Sequence, residues 1–276
     1  MLNLPTAGVS MVVIPIPTSR ESLCAFRITD RLDASDIRFI GQICTRAGDR
    51  FGTVDVLLQF DAIASLPPAE FWLPLKVRRL ALVGAVEALT GPTRHIAEPE
   101  TFASAKIKDA WRFVEADPVA RPQDVTAVEW DAMCRVVARA WRAADEDGKV
   151  GIAAAVVKDG VLIALEANEV HLACDPTRHA EIVAISRAAN LLHTADLSGC
   201  ALFSSLQPCE MCLTAMRFAG IDRVVFAAQQ HQVPDKYFKF NGFTLQDFRT
   251  ASPTAFSARG GVLDHIVLPL YRNGDE

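Results

Sequence analysis

No apolar run in this 276-residue chain is long enough to span a bilayer, although hydrophobic residues make up 50% of it. Near the start, Met11-Val12-Val13-Ile14 is broken at once by Pro15 and Pro17 and has neither a basic flank nor a cleavage site, so no secretory leader is expected. Basic charge is not in excess: 28 Lys and Arg stand against 33 Asp and Glu, a formal net charge of −5, and neither half of the chain is basic. This weighs against a nucleic-acid footprint. The seven cysteines are an odd number, and Cys24, Cys44, Cys134, Cys174 and Cys200 mostly stand among apolar neighbours. They read as small buried hydrophobes in a reducing, cytoplasmic setting rather than as a disulfide framework.

What is present is one dense chemical pattern. Thr177-Arg178-His179-Ala180-Glu181 is followed about a helix and a strand later by Gln207-Pro208-Cys209-Glu210-Met211-Cys212. The two stretches supply an imidazole, two thiols spaced i,i+3 and a carboxylate. Three N/S ligands make a zinc site whose fourth tetrahedral place stays open, and the carboxylate is left for proton work. With Pro208 in the first turn of a helix, Cys209 and Cys212 lie on one helix face and reach one ion. Asp175-Pro176-Thr177 reads as a turn and helix start, so His179 stands at the beginning of a second helix.

The order H-x-E…P-C-x-x-C resembles the cytidine deaminase-like superfamily, in the branch of guanine and cytosine deaminases and tRNA adenosine deaminases. The likeness runs from about residue 127 to 250 and includes Ile221-Asp222-Arg223-Val224-Val225-Phe226. It implies an α/β/α sandwich, one Zn2+ per chain held by His179, Cys209 and Cys212, Glu181 as general acid and base, and a homodimer; the charge balance and the lack of a spanning run add the expectation of a small-molecule substrate without a nucleic-acid or membrane partner. It further implies substrate contacts from Asn168, Ala180, Asp235 and Phe238, although Asn168 also reads as an asparagine holding a turn and 234–240 as a surface loop with its aromatics in the core. Gln207 and Glu210 depart from the common pattern, which leaves the substrate class open. A guanine-like base or nucleoside is the first expectation and a tRNA adenosine the second. A non-catalytic, zinc-stabilised interaction protein is the alternative of another kind.

Along the chain, residues 1–20 are expected to be a lead-in, 21–117 an N-terminal domain, 118–126 a proline-rich linker and 127–276 the zinc domain. In the first domain, strands are expected over 23–28, 54–60 and 79–84, and helices over 34–47, 71–77 and 105–116. Strands alternating with helices argue for a small α/β domain. Arg78-Arg79-Leu80-Ala81-Leu82-Val83-Gly84 and Asp109-Ala110-Trp111-Arg112-Phe113-Val114 give it a similarity to SpoIIAA-like, or STAS-like, domains. In some of those a serine after a central strand is phosphorylated, and Ser65 holds a comparable position, though a turn serine is the simpler reading. In the second domain, a helix is expected over 128–144, then a hairpin of 150–157 and 161–165 around Lys158-Asp159-Gly160. His95, His171, His193, His231 and His265 read as surface histidines.

Overall fold

The computed structural model describes residues 13–18, 20, 22–61, 75, 77–84, 98–102, 106–114, 119–147, 150–240, 242–252 and 255–271. The expected helix at 71–77 falls largely outside them, as do Ser65 and His95. Two compact units divide the chain, Ser10–Ala120 and, for the rest, Arg121–Glu276. Among the described residues no helix is long and apolar enough to cross a membrane.

In the N-terminal unit, β1 (Val13–Ile16), β2 (Leu23–Ile28), β3 (Val54–Phe60), β4 (Val77–Val83) and β5 (Glu98–Phe102) form one sheet in that order. β1 runs antiparallel to β2, and the other neighbours are parallel. Parallel strands covered on both faces are near-continuously apolar, as Val54–Phe60 is, with Leu57, Leu58, Leu80 and Leu82 wholly buried. Residues 13–16, expected in a lead-in, instead make the edge strand. Pro15 is tolerated there because an edge position need not donate its N–H.

Helix α1 (Ala34–Phe51) opens on a capping box in which Asp33 accepts from Ser35 and Asp36 amides and Asp36 bonds back to the Asp33 amide. Its buried side is Phe39, Ile40, Cys44 and Gly48, and it packs on β2 and β3. Helix α2 (Ile107–Phe113) is shorter than the expected 105–116 and packs on β4 and β5. β5 carries Pro99 between acidic residues, which is why no strand is legible there in the sequence.

The C-terminal unit begins with helix α3 (Ala127–Asp147), whose Met133, Val136, Val137 and Trp141 are buried as expected. β6 (Ala153–Lys158) and β7 (Val161–Ala167) follow as an antiparallel hairpin. Asp159 and Gly160 both take positive φ (49° and 78°), the mirror-image turn that suits a two-residue hairpin and that glycine enters freely. Short helix α4 (Val170–Ala173), helix α5 (Ala180–Leu192), strand β8 (Cys200–Leu206), helix α6 (Glu210–Phe218) and strand β9 (Arg223–Ala228) come next. Helix α7 (Leu245–Ala251), strand β10 (Ser257–Arg259) and helix α8 (Asp264–Tyr271) complete the described chain.

The sheet order is β10-β9-β8-β6-β7, with β6 antiparallel to both its neighbours and β8, β9 and β10 parallel. Side chains alternate across it. Ala154, Val156, Leu202, Val224 and Phe226 meet α5 and α6 through Ala180, Ala184, Leu213 and Met216. On the other face α3 and α8 join where the Trp141 indole donates to the Ile266 carbonyl at 3.2 Å. The α/β/α layering expected from the resemblance is thus the architecture of this unit. Gly151, before β6, is there by necessity, because a Cβ would run into the Ala140 carbonyl and Ala144 amide of α3.

Besides the capping Asp36, a second buried carboxylate marks the N-terminal unit. Asp55, 1% exposed, accepts from Arg78 Nε and Nη2 at 3.0 and 2.7 Å and pairs with Arg20. Burial alone would raise its pKa, but the two guanidinium groups outweigh burial and hold the carboxyl below its usual value. A carboxylate depressed in the folded state stabilises at neutral pH, and that stabilisation is lost as pH falls through its folded-state pKa. Asp55→Asn should therefore lower the stability of this unit by about 1–3 kcal/mol at pH 7. Denaturant midpoints followed from pH 7 down to pH 3 should converge for variant and wild type. Parallel curves would contradict the assignment.

Candidate metal and catalytic site

Two helices start at the same place. Asp175 Oδ1 accepts from the Thr177 amide and hydroxyl at 2.8 and 2.7 Å, which closes the turn before α5. Arg178 pairs with Glu169 and returns its carbonyl to the Glu169 amide at 3.0 Å, fastening this turn to the loop after β7. His179 is then the N-cap of α5, in extended conformation. β8 delivers the second helix: the chain leaves it through Gln207 and Pro208, and Cys209 is the N-cap of α6. Pro208 was expected inside the first turn. It lies one residue before the cap instead, because the Cys209 carbonyl already accepts the first helical bond, from Leu213 at 2.9 Å.

The consequence of these two starts is a tight triangle. Cys209 Sγ lies 3.5 Å from His179 Nδ1 and 3.6 Å from Cys212 Sγ, and Cys212 Sγ lies 3.6 Å from His179 Nδ1. Tetrahedral zinc with ordinary bond lengths needs S···N edges of about 3.6 Å and an S···S edge of about 3.8 Å. The donor set and its spacing therefore fit the ion. Among the described residues it is the one His/Cys/Asp/Glu group close enough to hold a metal.

Electrostatics at the triangle are those of donors awaiting a cation. Hydrogen bonding with Cys212, with help from His179, pulls the Cys209 pKa down to about 4, although burial opposes it. Cys212 is pushed well above the ordinary thiol value, by its contact with Cys209 first and burial second. Hydrogen bonding to Cys209 raises His179. A divalent ion would hold both sulfurs as thiolates, helped by the positive ends of the two helices.

Glu181 stands behind the triangle, 3% exposed. Its Oε2 is 3.4 Å from Cys212 Sγ and its Oε1 is 3.1 Å from the Ser204 hydroxyl. Burial, then the Cys209 thiolate, raises its pKa, against the pull of His179 and Ser204. A buried carboxyl with a raised pKa is suited to taking and returning protons.

The other expected contacts are distributed differently. Ala180 opens α5 and is wholly buried, its N–H among the first-turn donors without an intrahelical partner. Asn168 uses its Oδ1 on the Val170 amide at 3.2 Å and so holds the turn into α4. Asp235, exposed, and Phe238, 5% exposed, share a cavity of about 400 Å³ with Gln207, Gln230, His231, Thr244 and Leu245. Gln207 and Gln230 interlock there, Gln207 Oε1 accepting from the Gln230 amide at 3.1 Å and Gln207 Nε2 donating to Gln230 Oε1 at 3.3 Å. Glu210, the second departure from the common motif, accepts from the Phe240 amide at 3.2 Å and ties this segment to α6. His171, His193, His231 and His265 are exposed. Sequence reasoning missed Ser204 and Gln230. Two adjacent serines in the otherwise apolar β8 are a signal that could have found the first.

Removing any one donor should disarm the site. His179→Ala, Cys209→Ser and Cys212→Ser are each expected to lower bound zinc from one per chain to well below that, by elemental analysis after dialysis. Zinc at a hundredfold excess over its Kd should stabilise the wild type by about 2.7 kcal/mol and leave these variants unmoved. Full zinc occupancy in all three variants would refute the ligand set.

Comparison with known proteins agrees with the geometry. The model of the cytidine and deoxycytidylate deaminase zinc-binding region matches residues 128–228. A tRNA-specific adenosine deaminase of Aquifex aeolicus is 40% identical over 94 residues, 34% of this chain and 62% of that protein. A guanine deaminase of Bacillus subtilis is 40% identical over 85 residues, 31% of this chain and 54% of that protein. A tRNA-specific adenosine deaminase of Buchnera aphidicola subsp. Baizongia pistaciae is 35% identical over 109 residues, 39% and 67% of the two chains. This chain thus spans a little over half the length of the first two. With the ligand triangle, the buried carboxyl and these matches together, the chain belongs to the cytidine and deoxycytidylate deaminase zinc-binding family.

Proposed function

We propose that the C-terminal unit is a zinc-dependent hydrolytic deaminase of a small aminated heterocycle, with guanine or a related base or nucleoside as the first candidate. The observation that carries this reading is the number of donors: three, not the four of a structural site, with the Glu181 carboxyl beside them. His179, Cys209 and Cys212 would hold the ion. When bound, zinc lowers the pKa of a coordinated water to about 7 and so supplies a nucleophile at neutral pH.

The rest is work for this chain's own groups. Glu181 would accept a proton from the attacking water and deliver it to the ring nitrogen beside the attacked carbon, then take the second proton from the hydroxyl so added and pass it to the departing amine. One carbon–oxygen bond forms, one carbon–nitrogen bond breaks, and ammonia leaves. Burial of Glu181 keeps bulk water away from that exchange.

The cavity beside Gln207 supports a neutral, planar ligand. Its lining is two carboxamides, a histidine, a carboxylate, a hydroxyl and two apolar side chains, with no lysine or arginine. Asp235 would accept from ring N–H and amino groups, and Phe238 would supply an apolar wall. The same lining has a carboxylate and no cationic side chain of lysine or arginine to neutralise a phosphate, which supports a free base or nucleoside over a polynucleotide. The Aquifex relative favours a second reading, a tRNA adenosine deaminase, against which stands the acidic balance of the chain. Seven cysteines without a disulfide among them fit a reducing, cytoplasmic setting, and a homodimer is the assembly that the resemblance implies. The N-terminal unit, STAS-like by its motifs, would serve as an accessory domain.

Ammonia release by the zinc-loaded protein, tried on guanine, cytosine, adenine, their nucleosides and simple aminotriazines, tests the reading. One substrate should be turned over, and Glu181→Ala should lose 10²–10⁴-fold or more in rate while keeping its zinc. Silence across the panel with one zinc held per chain would move the weight to a polymeric RNA substrate or to a non-catalytic interaction protein. Turnover undiminished in Glu181→Ala would refute the proton-transfer role.

A further inference from the structure

The end of β8 places two polar residues side by side in a buried strand, and each has a different errand. Ser204 and Ser205 are both wholly buried. Adjacent strand residues face opposite sides of a sheet. Ser205 turns toward α8, where its Oγ accepts from the Ala153 amide at 3.0 Å and lies 2.8 Å from the Tyr271 hydroxyl. Tyr271 also reaches the Gly151 carbonyl at 3.1 Å, so the strand end is tied down from that face. Ser204 turns toward α5, to Glu181.

The Ser204 oxygen has two neighbours. The Leu206 amide, 3.4 Å away, can only donate to it. A serine hydroxyl has a single proton, so with that amide donating, the proton is directed to Glu181 Oε1 at 3.1 Å. The other side-chain hydrogen bond on the carboxyl comes from the Cys212 thiol. A thiol is a weak donor, and the hydroxyl contact is the shorter of the two. Among the described residues, the Ser204 hydroxyl is therefore the side-chain contact that orients the carboxyl.

We propose that Ser204 is the positioning residue for Glu181: its hydroxyl holds Oε1, and Oε2, on the side of the cysteines, is the oxygen that exchanges protons. The proposal rests on the deaminase reading above. Glutamate has three rotatable side-chain bonds, and a proton shuttle misaimed by one rotation loses rate without losing substrate affinity. Ser204 touches neither the ligand triangle nor the cavity-lining residues by any bond described above, so its effect travels through Glu181.

Four versions of the zinc-loaded full chain test this: wild type, Ser204→Ala, Ser204→Thr and Ser204→Val. Threonine and valine have nearly the same shape, and only threonine keeps the hydroxyl. On the substrate found in the panel, Ser204→Ala and Ser204→Val should lose about 10–100-fold in kcat, with KM changed less than about threefold and one zinc retained. Ser204→Thr should recover most of the rate. Equal losses in Ser204→Thr and Ser204→Val would make the effect one of packing and overturn the proposal.

A second readout does not depend on turnover. With glutamate carrying ¹³C at its side-chain carboxyl, the Glu181 resonance is identified by its loss in Glu181→Gln. It should move in Ser204→Ala and Ser204→Val and stay near its wild-type position in Ser204→Thr. An unmoved resonance in Ser204→Ala overturns the proposal whatever the activity. A resonance that moves as expected in a protein silent on every substrate would uphold the contact and defeat the deaminase reading instead.

Discussion

Two cysteine sulfurs and an imidazole crowded within 3.6 Å of one another, with a buried carboxyl behind them, are the constraint on which the C-terminal unit turns. The contact between the sulfurs pulls the Cys209 pKa down and pushes that of Cys212 up. With a divalent ion, both thiolates and the carboxylate can coexist, since the ion's charge offsets two of the three negative charges and the helix ends assist with the rest. Much of the surrounding architecture serves this point. Parallel β8 and β9 and the helices that follow β7 and β8 bring two helix starts to one end of the sheet, and the turn closed by Asp175 sets the first of them.

The legible part of the site was legible because chemistry fixes its spacing. An i,i+3 pair of cysteines at a helix start and a His-x-Glu at another can be read without coordinates, and the structure brings those four side chains together. The error of detail at Pro208 comes from placing the helix start two residues too early. Ser204 was illegible as a partner because its meaning depends on which face of β8 it takes and what lies across from it. Neither follows from local pattern. The same holds for Tyr271, whose helix finds β8 across more than sixty residues of intervening chain, and for Gln230, which matters only through Gln207.

In the N-terminal unit the reading succeeded where burial is symmetrical and failed at the margins. β2, β3 and β4 are the inner strands of the sheet and each carries a run of buried apolar residues, at 23–26, 56–58 and 80–83, so their sequences announce them. β1 and β5 sit at the edges. Edge strands tolerate proline and acidic residues, which are the residues that signal loop elsewhere. The cavity beside the metal helix shows the complementary limit: Asp235 and Phe238 could be proposed as a pair, but the carboxamides that share the cavity with them come from the ends of β8 and β9.

X-ray absorption at the zinc edge of the metal-loaded full chain tests the central claim most directly, because it counts ligands by element and distance. The account predicts one zinc per chain with two sulfurs at about 2.3 Å and two nitrogen or oxygen neighbours at about 2.0–2.1 Å, one sulfur being lost in Cys209→Ser. A shell with no sulfur, or one with three or four, would contradict an open site built from His179, Cys209 and Cys212.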